Sequence, residues 1–150
     1  MNNKSILLIV IVIIVVIGGI IAFTTFNNND QVSVGSAKFK LPSGFHEGTI
    51  NKAGDVNITN GYDTVFIKEH NESNITKCIK DYKKYKRNNN HTVKVSNFTV
   101  NDTLVYKTTV KNESTTHYWF EHNGKVYSIY SWSKNNNFNK IATDLISSVN

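Results

Sequence analysis

Five histidines and one cysteine have the widest chemical reach in this sequence: His46, His70, His91, His117, His122 and Cys78. A metal site would need two histidines four apart on a helix or close together on one strand. None has that spacing, and His117 and His122 stand an odd number of residues apart on one predicted strand, so they point to opposite faces. A nucleophilic thiol needs exposure and a base beside it. Cys78 instead falls on the apolar stripe of a predicted helix with Ile75, Ile79 and Tyr82, where a free cysteine packs as a small hydrophobe. The sequence also has no G-x-S-x-G elbow, phosphate loop or acidic metal-binding run. We therefore assign no catalytic residue, metal ligand or cofactor, and read the chain as a non-enzyme.

What remains is recognition chemistry. Asn123-Gly124 is a strong two-residue hairpin signal, because both central positions of a type I′ turn need positive φ. That turn sets Phe120 opposite Tyr127 and Tyr118 opposite Ile129 on one face. The other face then carries His117, Trp119, Tyr130 and, farther along, Trp132. Large rings on both faces imply either a second covering layer or an aromatic platform for a glycan or a partner protein. These four residues are the ligand-binding candidates.

The elements that must position them follow from periodicity. Alternating or β-branched runs predict strands at 37–41, 56–59, 62–68, 92–100, 103–110, 116–122 and 125–132, with Asn60-Gly61 as a further hairpin turn. Apolar residues at helical spacing predict helices at 74–87 and from Phe138 to Val149. The expected fold class is α+β: an N-terminal transmembrane helix, then an antiparallel sheet packed with two helices.

Three motifs within this order resemble PsbP-like domains, a superfamily that includes DcrB-type envelope proteins. They are F-x-L-P-x-G-F (Phe39, Leu41, Pro42, Gly44, Phe45), the Trp119-Phe120 to Ile129 hairpin with Gly124-Lys125-Val126-Tyr127-Ser128, and the closing LISSV (Leu145 to Val149). The resemblance implies a non-enzymatic accessory or binding module, often membrane-attached, and supplies no catalytic or metal residue.

The run from Ile6 to Phe23 holds eighteen residues without a charge, amide or hydroxyl. As a helix it would span roughly 27 Å, near the hydrocarbon thickness of a bilayer. It exceeds a secretory h-region and lacks an A-x-A-like cleavage site, so it reads as an uncleaved anchor. Lys4 precedes it, while beyond it Asp30 is the first charge and Lys38 the first cation, which puts residues 1–5 inside the cell. The expected organisation is a cytoplasmic stub (1–5), an anchor (6–23), a polar tether (24–37) and one extracytoplasmic domain (38–150).

The formal charge is +6. Much of the excess lies between Lys77 and Arg87, where only Asp81 opposes six basic residues. A nucleic-acid partner has no visible docking motif and is excluded. Lys77, Lys80, Lys83, Lys84 and Arg87 read either as a solvated helix face or as an attraction for acidic lipid or cell-wall polymer. Among 22 asparagines, those at Asn71, Asn74, Asn90, Asn101 and Asn112 begin N-x-[ST] sequons near predicted turns and are glycosylation candidates. The single cysteine leaves no intramolecular disulfide, so packing must hold the domain. The expected function is a membrane-anchored, extracytoplasmic, non-catalytic binding or accessory module of the cell envelope. The alternatives are a ligand-carrying or enzymatic surface domain using the aromatic face, and a glycosylated surface-coat component.

Overall fold

The computed structural model describes residues 30–51, 53–132 and 136–150. Among these residues nine strands and two helices follow in the order β1 (Gln31–Val34), β2 (Ala37–Lys40), β3 (His46–Glu47), β4 (Val56–Thr59), β5 (Thr64–His70), α1 (Ile75–Asn88), β6 (Val93–Val100), β7 (Thr103–Val110), β8 (Thr116–His122), β9 (Lys125–Ser131) and α2 (Phe138–Ser148). β1 and β2 form a two-stranded sheet of their own. The other seven strands form one antiparallel sheet in the order β3-β4-β5-β9-β8-β7-β6.

The expected fold class needs correction. Over the described residues the chain is mostly antiparallel sheet, divided between two sheets, with two helices. Among the described residues no helix is long and apolar enough to cross a membrane, and the run at 6–23 lies outside them. The separate small sheet arises because Val32 and Val34 alternate with exposed Gln31 and Ser33, and so bury one side of β1 against the larger sheet. Residues 31–34, expected within the polar tether, are therefore part of the folded unit. The Asn-rich stretch just before them hides a strand of only four residues.

Each face of the large sheet is covered differently. One face carries Ile58, Val65, Ile67, Val105, Tyr118, Phe120, Tyr127 and Ile129, and packs under the β1–β2 hairpin and α2. From the hairpin Phe39 sets its ring edge-on to Phe120 and Tyr127, at 6.3 and 5.9 Å between centroids. Helix α2 contributes Phe138, Ile141, Ala142, Leu145 and Ile146, the stripe that its 3.6-residue period predicts. Beyond α2, Asn150 exchanges backbone hydrogen bonds with Lys38 at 3.0 Å each way, which closes the outer edge of β2.

The opposite face is covered by α1 and by the loop around Asp55. Asn74 caps α1, its side chain accepting from the Lys77 amide at 3.0 Å. The helix lays Cys78 and Ile79 on Trp119 and Val126, with Ile75, Tyr82 and Tyr106 at the margin. A change of register also separates sequence from structure at the β4–β5 turn. Thr59 pairs with Thr64, so four residues form the turn instead of two. Asn60 causes this, because its Oδ1 accepts from the amides of Tyr62 and Asp63 at 3.0 and 2.7 Å and makes a wider local turn than a type I′ pair allows.

Candidate functional site

Register assigns the site face. Phe66 pairs with Tyr130 and Lys68 with Ser128 across β5 and β9. His117 pairs with Tyr130 and Trp119 with Ser128 across β8 and β9. The structure thus brings all four expected ligand-binding residues, His117, Trp119, Tyr130 and Trp132, into one aromatic file. His117 stacks on Trp119 (5.4 Å, 15°) and on Tyr130 (4.7 Å, 19°), and Tyr130 leads to Trp132 at 5.7 Å. The ends of the file differ sharply. Trp119 is 3% exposed beneath α1, whereas Trp132 is 59% exposed.

At the covered end Trp119 Nε1 donates to Thr108 Oγ1 at 2.9 Å. Tyr82 of α1 packs over both His117 (4.6 Å) and Trp119 (5.5 Å). Beside it a cleft of about 630 Å³ runs between α1 and the loop at Ala53, floored by Lys68, His70 and Trp119. His70 Nε2 lies 2.8 Å from Ser128 Oγ. A serine and a histidine at this distance invite comparison with a nucleophile and its base, but Ser128 is 1% exposed, whereas a nucleophile must be open to its substrate. Burial, with Lys68 adding to it, pushes the His70 pKa down to about 4. Burial likewise pushes His117 down to about 3, aided by Lys86 and His70. Both imidazoles are neutral at pH 7. At that pH His70 shares a hydrogen bond with Ser128 and His117 packs between the rings of Trp119 and Tyr130, so neither offers a cation for a ligand to meet.

Asp55 locks the loop over this face. It takes Tyr130 Oη at 2.6 Å and Asn51 Nδ2 at 3.1 Å on Oδ2, and Lys68 Nζ at 2.8 Å on Oδ1. Burial works to raise its pKa, but the hydrogen bonds from Lys68, Tyr130 and Asn51 outweigh that and hold the carboxyl below its ordinary value. Cys78 is buried on the inner face of α1, and burial, with Glu72 and Asp81 nearby, pushes its thiol pKa up. The fold therefore keeps it a thiol and away from solvent.

At the open end Trp132 leans on Phe66 at 4.5 Å, and Phe66 stacks on Tyr130 at 5.1 Å and 14°. Tyr62, 96% exposed, and Thr64 complete a shallow hollow of about 390 Å³ with Phe66 and Trp132. Tyr62 and Phe66 are the site residues that sequence reading misses. The two-residue turn expected at Asn60-Gly61 starts the strand at Tyr62, whereas the four-residue turn leaves that ring at the tip. Among the described residues no group of three His, Cys, Asp or Glu side chains converges as a metal site would require. The five sequon asparagines, Asn71, Asn74, Asn90, Asn101 and Asn112, are all exposed, and Asn90, Asn101 and Asn112 take positive φ in turns.

No family model matches the sequence, and no curated protein matches it. A solved structure from Bacteroides thetaiotaomicron VPI-5482 is similar to the chain at 14% identity and a TM-score of 0.48. The similarity covers 76% of this chain and spans 44% of that one.

Proposed function

We propose that this chain is a non-catalytic binding module displayed outside a cell membrane, and that it takes a ring-bearing polyol, such as a surface glycan, on the open end of its aromatic file. The observation that carries the reading is Trp132, whose 59% exposed ring is held from below by Phe66 and Tyr130. A rigid, half-exposed indole loses little entropy when a sugar ring stacks on it, and its N–H remains for a hydroxyl. Tyr62 and Thr64 add two hydroxyl groups at the rim. Display at a membrane rests on the eighteen apolar residues of 6–23 in the sequence. The enclosure of His117 between Tyr130, Trp119 and Tyr82, and of Ser128 beneath it, favours binding over catalysis.

Tryptophan fluorescence tests this directly, because only two indoles are present and only one of them is exposed. Titration of the full chain with N-acetylated and neutral oligosaccharides should shift the emission of Trp132 and saturate. In isothermal titration calorimetry, which does not need the indole as reporter, Trp132→Ala and Tyr62→Ala should abolish or weaken binding while the domain stays folded. Equal binding by Trp132→Ala would sink the proposal.

A further inference from the structure

The strand β6 ends the seven-stranded sheet, and its outer edge is unpaired among the described residues. Thr92 O accepts from Lys111 N at 2.9 Å, and the β6–β7 register continues unbroken to Val100 opposite Thr103. Even-numbered residues of β6 therefore exchange ladder bonds with β7. Val93, Val95, Asn97 and Thr99 turn their N–H and C=O groups outward. Eight residues is a long edge to leave open, because such a row of donors and acceptors is a template for another strand.

Above this edge lies a groove of about 870 Å³ between β6 and α1. Its floor is apolar: Ile79 of α1, Val95 of β6 and Tyr106 of β7. Val95 is 41% exposed, an apolar side chain of the edge strand left open to this groove. The rim is basic, with Lys80, Lys83, Lys84 and Arg87 of α1 facing a single acid, Asp81. None of these four cations belongs to an ion pair within 4.0 Å. By contrast Lys77 pairs with Glu72 and Lys86 with Glu113. All eleven acids of the chain lie in described positions, so this rim is uncompensated from within.

We infer that this groove is a docking site for an extended acidic segment of a partner protein, added to the sheet alongside β6. A strand laid there would satisfy the outward N–H and C=O groups of Val93, Val95, Asn97 and Thr99, which a lipid headgroup or a phosphate polymer has no matching ladder to do. Alternate side chains would rise beside α1, an apolar one onto Val95 and Ile79 and acidic ones toward Lys80, Lys83, Lys84 and Arg87. The site is separate from Trp132 and stands independently of the glycan reading.

The test uses the full chain in detergent micelles and the peptide acetyl-Glu-Thr-Leu-Thr-Glu-Thr-amide, with binding followed by amide chemical shifts. Saturable shifts should concentrate at 93–99 and 76–88. Lys83→Glu with Arg87→Glu should weaken binding at least about tenfold, and added salt should weaken wild-type binding. Val95→Asp, a surface change that leaves the core intact, should do the same, and a copy of the peptide N-methylated at alternate amides should not bind. Equal binding of the N-methylated copy, or no saturation at millimolar peptide, overturns strand addition. Capture by phosphatidylglycerol vesicles that the peptide does not displace would assign the rim to a membrane and overturn it too. Sedimentation of a dimer that Val95→Asp dissolves would assign the edge to a second copy, with the same consequence.

Discussion

Tyr130 Oη donates to Asp55 Oδ2 at 2.6 Å, joining the last strand of the sheet to a loop 75 residues earlier. The same carboxylate holds Lys68 Nζ at 2.8 Å and Asn51 Nδ2 at 3.1 Å, and Asn51 Oδ1 in turn accepts from the amides of Ala53 and Asp55 at 2.9 Å. A charge that is 4% exposed is tolerable only because both its oxygens are engaged. Tyr130→Phe keeps the stack on Phe66 and His117 but removes the donor, and should cost about 1.5–3 kcal/mol. Urea unfolding measures this, and hydrogen exchange should show the loop at 51–55 loosening first. An unchanged midpoint would mean that the bond carries no structural weight.

The two neutral imidazoles under α1 make stability depend on pH in a direction that the shifts fix. An unfolded histidine takes up a proton near pH 6.5, whereas folded His70 waits until about 4 and folded His117 until about 3. Between those values the unfolded chain binds more protons. Stability from these groups is therefore complete above about pH 6.5 and declines as pH falls, by at most about 1.4 kcal/mol per pH unit for each histidine. Urea midpoints from pH 7.5 to 4.5 should fall accordingly. His117→Phe, which keeps a flat ring between Trp119 and Tyr130, should flatten the slope. A wild-type profile level across that range would contradict the buried, neutral state of both rings.

The two tryptophans should separate stability from binding. Trp119 is enclosed by Cys78, Ile79 and Tyr82 and bonded to Thr108, so Trp119→Ala opens a cavity and should cost about 3–5 kcal/mol. Trp132→Ala removes a ring already 59% in water and should cost less than about 1 kcal/mol. Thermal melts of the two variants decide the matter. Equal losses would mean that Trp132 belongs to the core and offers no platform.

Much of the architecture was legible because its signals are local. Asn123-Gly124 takes φ of +49° and +72°, and that turn puts Phe120 opposite Tyr127 and Tyr118 opposite Ile129, as residue spacing requires. The stripe of α1 and its Asn74 cap are equally local signals. The failures are long-range or side-chain effects. β1 acquires its identity only from the surface under Val32 and Val34, and β3 is two residues held by β4. Asn60 overrides the Asn-Gly turn by bonding its own backbone, and so moves Tyr62 to the tip. Alternation within β8 and β9 placed His117, Trp119, Tyr130 and Trp132 on one face, but it had no means of showing that α1 stops short of Trp132. Coverage depends on where a helix lands, and that is decided by contacts between elements far apart in sequence.

Gly35 shows how the small sheet is fixed to the large one. It turns the β1–β2 hairpin at φ +58°, and a Cβ there would overlap the Glu69 carboxylate. Glu69 Oε2 accepts from Ser36 N at 2.9 Å and from Tyr127 Oη at 2.7 Å, and those bonds hold its pKa below the ordinary value. Glycine therefore serves both the left-handed backbone and the close approach. Gly35→Ala should cost about 1–3 kcal/mol in urea unfolding, from strain at positive φ and displacement of the carboxylate together. Glu69→Ala in the same chain should recover the steric part but not the backbone part, so the double variant should be less destabilised than the two single losses summed. Strict additivity would show that the Cβ and the carboxylate do not compete for one space, and that Ser36 and Tyr127, not the tight turn, anchor the hairpin.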